Sequence, residues 1–340
     1  MGRFPAFLMT GALVAHASLA VLASENDRPS NLKTEPRMSD PNDPSSFRFT
    51  FRSAMDPVDL RPDPDLFVYL NVLRVDGHSR QALMVENRLG GDLLDRSVGL
   101  FATTLSKEQV AALGAALEAI KWNELPDLKG GDISAAALSI DYARGSKIVQ
   151  RAFNARNWDF MNAISPVMSQ TSDLMNLVGT HPARAIHVAV ARTASGLRLI
   201  LRNVGTGPVI VADPRKSDGP GKTHGSVGVA RDEDGPQRNT FSPPIPLQPV
   251  ALAPLGDAPP FVTLASGKSL EVDTVPWTPP KSGSYFSRGK WEDYGGPEID
   301  PKTMMPIVPE PDKIESDTRP YRIRGAAFSG VLRFPGKKDR

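Results

Sequence analysis

The stretch LFVYLNVLRVDGHSRQALMVENRL, residues 66–89, decides how the first half of the chain is read. Runs rich in Val, Leu and other strand-forming apolar residues flank Asp76-Gly77 on both sides. That dipeptide suits a hairpin turn because Gly accepts positive φ without steric cost. Two antiparallel strands are therefore predicted, and GLFATTL just downstream predicts a third. Ser106-Lys107-Glu108-Gln109 has the S-x-x-Q form of a capping box. Behind it Val110, Leu113, Leu117 and Ile120 recur at three- and four-residue steps, so an amphipathic helix is predicted to end near Trp122. Two further strands follow, ALSIDYA and KIVQRAF, turning at Arg144-Gly145. A helical stretch then runs from about Asn157 to Val178. Ser165-Pro166 interrupts it, giving a kink or two short helices. The order β-β-β-α-β-β-α predicts a small antiparallel α+β domain over residues 65–180.

Upstream, residues 24–64 read as a linker, with Pro29, Pro36, Pro41, Pro44, Pro57, Pro62 and Pro64 among Ser, Asn and Asp. Proline removes backbone donors and fixes φ, which keeps such a segment extended. Phe47, Phe49 and Phe51 alternate within it, enough for a short docked strand. Asp56, Asp59, Asp63 and Asp65 lack the Gly and Glu that a calcium loop requires at its sixth and twelfth positions. Residues 1–23 carry Arg3, an apolar run and small residues before Ser24, the pattern of a cleaved signal peptide. The expected destination is the periplasm or the exterior. No later run is long and apolar enough to span a bilayer, so no stable membrane insertion is expected after cleavage.

Cysteine is absent, which excludes thiol catalysis and Cys-ligated zinc. The formal charge of +2 falls to about +1 without Arg3, so bulk charge supplies no drive toward nucleic acid.

Downstream, over 185–335, the helical period disappears. IHVAVAR, GLRLILRN, VGVARDEDG, FVTLASGKSLEVDTV and YRIRGAAFSGVLRF read as short strands between turns, and a β-sandwich is predicted, ending in a basic tail at 336–340. Two proline-dense loops interrupt it, FSPPIPLQPVALAPLGDAPP and the stretch from PWTPP to PIVPEPD. Loops of that length are commonly binding loops or disordered insertions. The junction near Thr180-His181-Pro182-Ala183 is expected to carry few contacts.

LILRNVGTGPVIVADP resembles the strand, Asn-x-Gly, strand opening of immunoglobulin-like domains in exported bacterial proteins. Leu264 to Leu270 is similar to their L-x-x-G-x-x-L strand. Ser282-Gly283-Ser284-Tyr285 resembles their G-x-Y, where a tyrosine hydroxyl bonds back to the backbone. Bacterial proteinase-inhibitor-like sandwiches carry a similar set. The resemblance implies an immunoglobulin-like fold for 185–335, and a fold alone does not supply an activity.

Catalytic and ligand motifs are sparse. Gly219-Pro220-Gly221-Lys222-Thr223 resembles the end of a phosphate-binding loop, but Lys216 stands where the first Gly belongs and no helix pattern follows. His224-Gly225-Ser226 is a suggestive cluster without G-x-S-x-G, and Ser30-Asn31-Leu32-Lys33 lies in the linker. His78, His181, His187 and His224 are scattered singly, and Asp232-Glu233-Asp234-Gly235 reads as a hairpin tip. No cofactor and no metal site is predicted. Trp277, Tyr285, Phe286, Trp291 and Tyr294 form an aromatic concentration in and after the second proline loop. Trp277 is expected in the core, while Trp291, Tyr294, Phe286 and Tyr285 are the candidate binding residues for a protein or glycan partner. The expected function is non-catalytic binding at the bacterial envelope or exterior. An exported hydrolase, drawing its acid and base from distant positions, is the alternative.

Overall fold

A computed structural model describes residues 45–55, 69–87, 97–125, 137–154, 158–219, 222–231, 247–293, 299–300, 305–306 and 319–336. Mostly antiparallel β-sheet, with three α-helices, makes up the described residues.

The first part contains β1 (Arg48–Met55), β2 (Tyr69–Asp76), β3 (Gln81–Glu86), β4 (Val98–Thr104), α1 (Lys107–Ala119), β5 (Ala137–Arg144), β6 (Lys147–Asn154), α2 (Trp158–Ala163) and α3 (Ser165–Val178). The capping box forms as predicted: the Ser106 hydroxyl accepts from the Gln109 N–H at 3.2 Å, and the Ser106 N–H donates to the Gln109 amide oxygen at 2.8 Å. Apolar residues of α1 bury Val110, Leu113 and Leu117, and a 3-10 turn then seats Trp122, whose indole donates to the Leu117 carbonyl at 2.9 Å. The Ser165-Pro166 interruption separates two helices, because proline near the first helical position lacks the N–H that would continue α2.

Two local readings need correction. The β2–β3 connection spans Gly77 to Arg80, with the positive φ at Arg80 rather than at the glycine. Gly77 is needed for space: a Cβ there would lie 2.2 Å from the Ser45 carbonyl oxygen and against the Phe47 ring. The short docked strand expected at Phe47, Phe49 and Phe51 is present but longer, over Arg48–Met55, and internal to the sheet rather than part of a linker. That segment is a strand flanked on both sides, by β2 and by β5. Phe47, Phe49 and Phe51 are buried against the helices, and the apolar area they withdraw from water outweighs the surrounding proline signal. Residues 1–44 and 56–68, including the signal-peptide reading and the aspartates of the linker, lie outside the described residues.

The second part contains β7 (Pro182–Arg192), β8 (Leu197–Asn203), β9 (Val209–Ala212), β10 (Ser217–Gly219), β11 (Lys222–Thr223), β12 (Gly225–Arg231), β13 (Gln248–Val250), β14 (Phe261–Leu264), β15 (Ser269–Asp273) and β16 (Ser284–Asp293). It closes with β17 (Ile299–Asp300), β18 (Met305–Pro306), β19 (Tyr321–Arg322), β20 (Gly325–Phe328) and β21 (Leu332–Pro335).

A single nine-stranded sheet, ordered β15-β8-β7-β4-β3-β2-β1-β5-β6, runs through both parts. β4 and β7 join them, with Val98 opposite Ile186 and Gly99 opposite Ala185. The sparse junction expected near Thr180 is therefore crossed by a backbone ladder. Gly99 makes the crossing possible: its φ is +134°, and a Cβ would lie 2.3 Å from the Arg184 carbonyl oxygen.

A second sheet, β13-β12-β16-β20 with β21 also on β16, shares an apolar core with the β7, β8 and β15 end of the first. A third, β14-β9-β19, contains the parallel pair β9–β19. The described part of the first proline loop is not loose. After β13, residues Ala251 to Ala253 bond to Asp273 and Val275 and so line the edge beside β15.

Two main cores result. One lies between the helices and β1 to β5, and the other between the two facing sheets. The segment from Arg319 to Ile323 touches both sides. Tyr321 packs on Val72, Leu83, Val85 and Leu100, while Ile323 is wholly enclosed in the second core.

Candidate functional site

The aromatic stretch singled out in the sequence lies on β16, which is sandwiched between β12 and the β20–β21 strand pair. Its inward positions face the core. A Cβ at Gly289 would lie 2.5 Å from Leu199, so glycine there admits the facing sheet. Trp291, expected at the surface, is 0 % exposed, and its indole donates to the Ala212 carbonyl at 2.9 Å. Phe286 and Tyr285 are buried as well. Tyr285 and Trp291 pack in the core between the two facing sheets, so neither is placed at the surface. Tyr294 lies outside the described residues. Trp277 packs edge-on against Tyr285 at 6.2 Å and Phe334 at 6.1 Å and is partly buried. The Tyr285 hydroxyl accepts from the Lys281 N–H at 3.2 Å, a bond back to the chain just upstream.

Buried polar residues concentrate at the other end of β16. Asp213 is fully enclosed and takes two bonds from the Arg215 guanidinium, both at 2.8 Å. Asp293 pairs with Arg322 at 2.9 Å, and the Phe261 ring lies beneath both Arg322 and Lys216. His224 is fully buried, with Nε2 3.0 Å from the Lys216 ammonium nitrogen. Ser226, its sequence companion, is exposed on β12 instead. Gly219 ends β10, Lys222 and Thr223 form β11, and β12 follows where a phosphate loop needs a helix. Among the described residues, no group of three or more His, Asp or Glu is placed to hold a metal ion. Ser30 to Lys33 and Asp232 to Gly235 lie outside them.

The large apolar side chains that do reach solvent are elsewhere. Trp158 is 76 % exposed and Ile148 is 71 % exposed. Phe160 turns one side of α2 into the first core, and Ile164, in the turn that follows, is buried there as well. Trp158 lies about 200° from Phe160 around a helix that turns about 100° per residue, so its indole stands on the opposite, outward side. Ile148 lies on β6, the outermost strand beyond β5. Val149 points into the core, so its neighbours Ile148 and Gln150 face out.

The hairpin carrying β6 is fixed from beneath. Glu118 on α1 accepts from the Tyr142 hydroxyl and from Lys147 at 2.9 Å, and forms an ion pair with Arg144 at 3.4 Å. Burial pushes the Glu118 carboxyl up, but the bonds from Tyr142 and Lys147 outweigh it and hold the group below its ordinary value. Burial, then the Glu118 bond, raises the Tyr142 hydroxyl above its usual range. Gly145, at φ +56°, makes the turn between β5 and β6.

No protein-family model matches the chain. A search of curated proteins finds no match either.

Proposed function

We propose that this chain is a non-catalytic binding protein of the bacterial envelope or exterior, and that Trp158 is the centre of its contact surface. The carrying observation is a tryptophan three-quarters exposed on a short helix whose other side is anchored by Phe160, with Ile164 buried in the turn after it. Such a residue is held rigidly in water, where it costs solvation and contributes nothing to the core. Rigid exposed indoles are the side chains that most often dominate protein interfaces. The export pattern of residues 1–23 supports the location.

The reading includes a fold. Residues 65–180, extended by β1, form an α+β unit, and 185–335 an immunoglobulin-like sandwich that shares its sheet. Three observations support the sandwich. β15 pairs with β8, and β8 with β7, while β12 pairs with β16, and β16 with β20 and β21 in the facing sheet. The Tyr285 hydroxyl makes the backbone bond of a tyrosine corner. Buried Asn203 accepts from the Gly205 N–H and donates to the Gly207 and Leu264 carbonyls, which ties the Asn-x-Gly turn to the L-x-x-G-x-x-L strand.

Trp158→Ala is expected to leave the thermal midpoint within a degree or so, because the side chain buries little. With a photo-crosslinking amino acid at 158, the envelope partner should be trapped and identified. Its affinity for purified Trp158→Ala should fall about 30-fold, the equivalent of ~2 kcal/mol lost from an interface anchor. An unchanged affinity, or a crosslink pattern indistinguishable from that of a probe at exposed Val331, would remove Trp158 as the contact.

A further inference from the structure

We infer that residues 319–335 are a closing strap: the second core cannot form until this segment has been made, so folding is held back to a late stage of synthesis. The strap supplies backbone partners, core side chains and charge partners at once. β20 and β21 together take one edge of β16, pairing with Lys290 to Asp293 and with Ser284 to Ser287. Between those pairs the Ser329 hydroxyl accepts from the Gly289 N–H at 2.7 Å, and the Ser329 N–H donates to the Gly289 carbonyl at 2.9 Å. β19 lies parallel to β9, where the Tyr321 N–H donates to the Pro208 carbonyl at 3.1 Å. Ile323, Ala327 and Phe334 are buried members of the second core. Two buried charges also find partners on the strap. Asp293 meets the Arg322 guanidinium at 2.9 Å, and the Arg184 guanidinium donates to the Arg319 carbonyl.

Few of these contacts are local. β4, which Ile323 abuts at Gly99, and β9 both lie far upstream, and closing the chain over such separations costs entropy that only the completed core offsets. An N-terminal unit ordinarily folds while the rest of its chain is still being made. Here a chain that has reached only β16 lacks the two strands along one edge of β16, the parallel neighbour of β9 and three core side chains. Asp293 and Arg184 each lose a partner as well, and burying a charge after such a loss is costly. The partial sandwich therefore does not offset the conformational entropy of ordering it. In a chain exported as residues 1–23 predict, the delay keeps the sandwich unfolded while the chain crosses the membrane. That use rests on the export reading; the closing order does not.

Pulse-labelled hydrogen exchange during refolding of the intact chain tests the order. The amides of the β12–β16 ladder should gain protection in the same kinetic phase as those of Ile323 and Ser329. Protection of that ladder in an earlier phase, with Ile323 following, would overturn the inference. A chain stopped at Thr318 gives a second reading. Its sandwich should show no cooperative transition in urea, and a synthetic peptide of residues 319–340 should restore one whose midpoint climbs with peptide concentration. The same peptide carrying Ile323→Asp should restore nothing. A normal transition without the peptide, or none with it, would count equally against the strap. Neither experiment bears on capture of a partner through Trp158, which is read separately on Trp158→Ala.

Discussion

Ile323→Asp is expected to unfold the protein, with a loss of more than ~4 kcal/mol. Ile323 is wholly buried, and its N–H donates to the Ile210 carbonyl at 2.9 Å. Its Cδ1 also lies so close to Gly99 that a Cβ on the glycine would approach to 2.8 Å. One side chain from the C-terminal segment thus fills the second core and abuts β4, the strand at which the two parts join. A carboxylate there would sit within an apolar core, so the cost of dehydrating it adds to the lost apolar burial. Ile323→Val, which removes one methylene, should cost about 1 kcal/mol and serves as the control. Urea unfolding, followed by circular dichroism, measures both. An Ile323→Asp protein with a near-normal midpoint would mean that the C-terminal segment is not seated as described.

Trp291→Ala should lower stability by about 3–5 kcal/mol. The substitution leaves a cavity between the two facing sheets and strips the Ala212 carbonyl of its indole donor. Trp291→Phe fills most of the space without the bond and should fall between the two. The measurement is again the denaturation midpoint. Retention of the midpoint in Trp291→Ala would return this residue to the surface.

The local features of the first part were legible because short-range chemistry sets them. A capping box, a glycine turn and a three-four apolar period each involve residues a few positions apart. What misled was long-range pairing. Phe47, Phe49 and Phe51 alternate plainly, but the prolines around them argued for a linker, and β5, a partner nearly ninety residues away, is what makes β1 internal. Trp291 sits among proline-rich flanks, yet its burial follows from β12 and β20 closing over both edges of β16. Neither partner can be inferred from the residues beside it. Trp158 could have been found. Within the predicted helical stretch it falls off the face set by Phe160 and Ile164, which is the signature of a large apolar residue pointing into solvent.

Both the placement of the C-terminal segment and the shared sheet imply that the two cores unfold together. Fragments 65–180 and 185–340 would each cut the β4–β7 ladder, and the first also lacks β1 and the Tyr321 side chain that covers Leu83 and Leu100. The direct measurement is scanning calorimetry of the intact chain. A single transition is expected, with equal calorimetric and van't Hoff enthalpies. Two resolved transitions, each matching the midpoint of one isolated fragment, would contradict it.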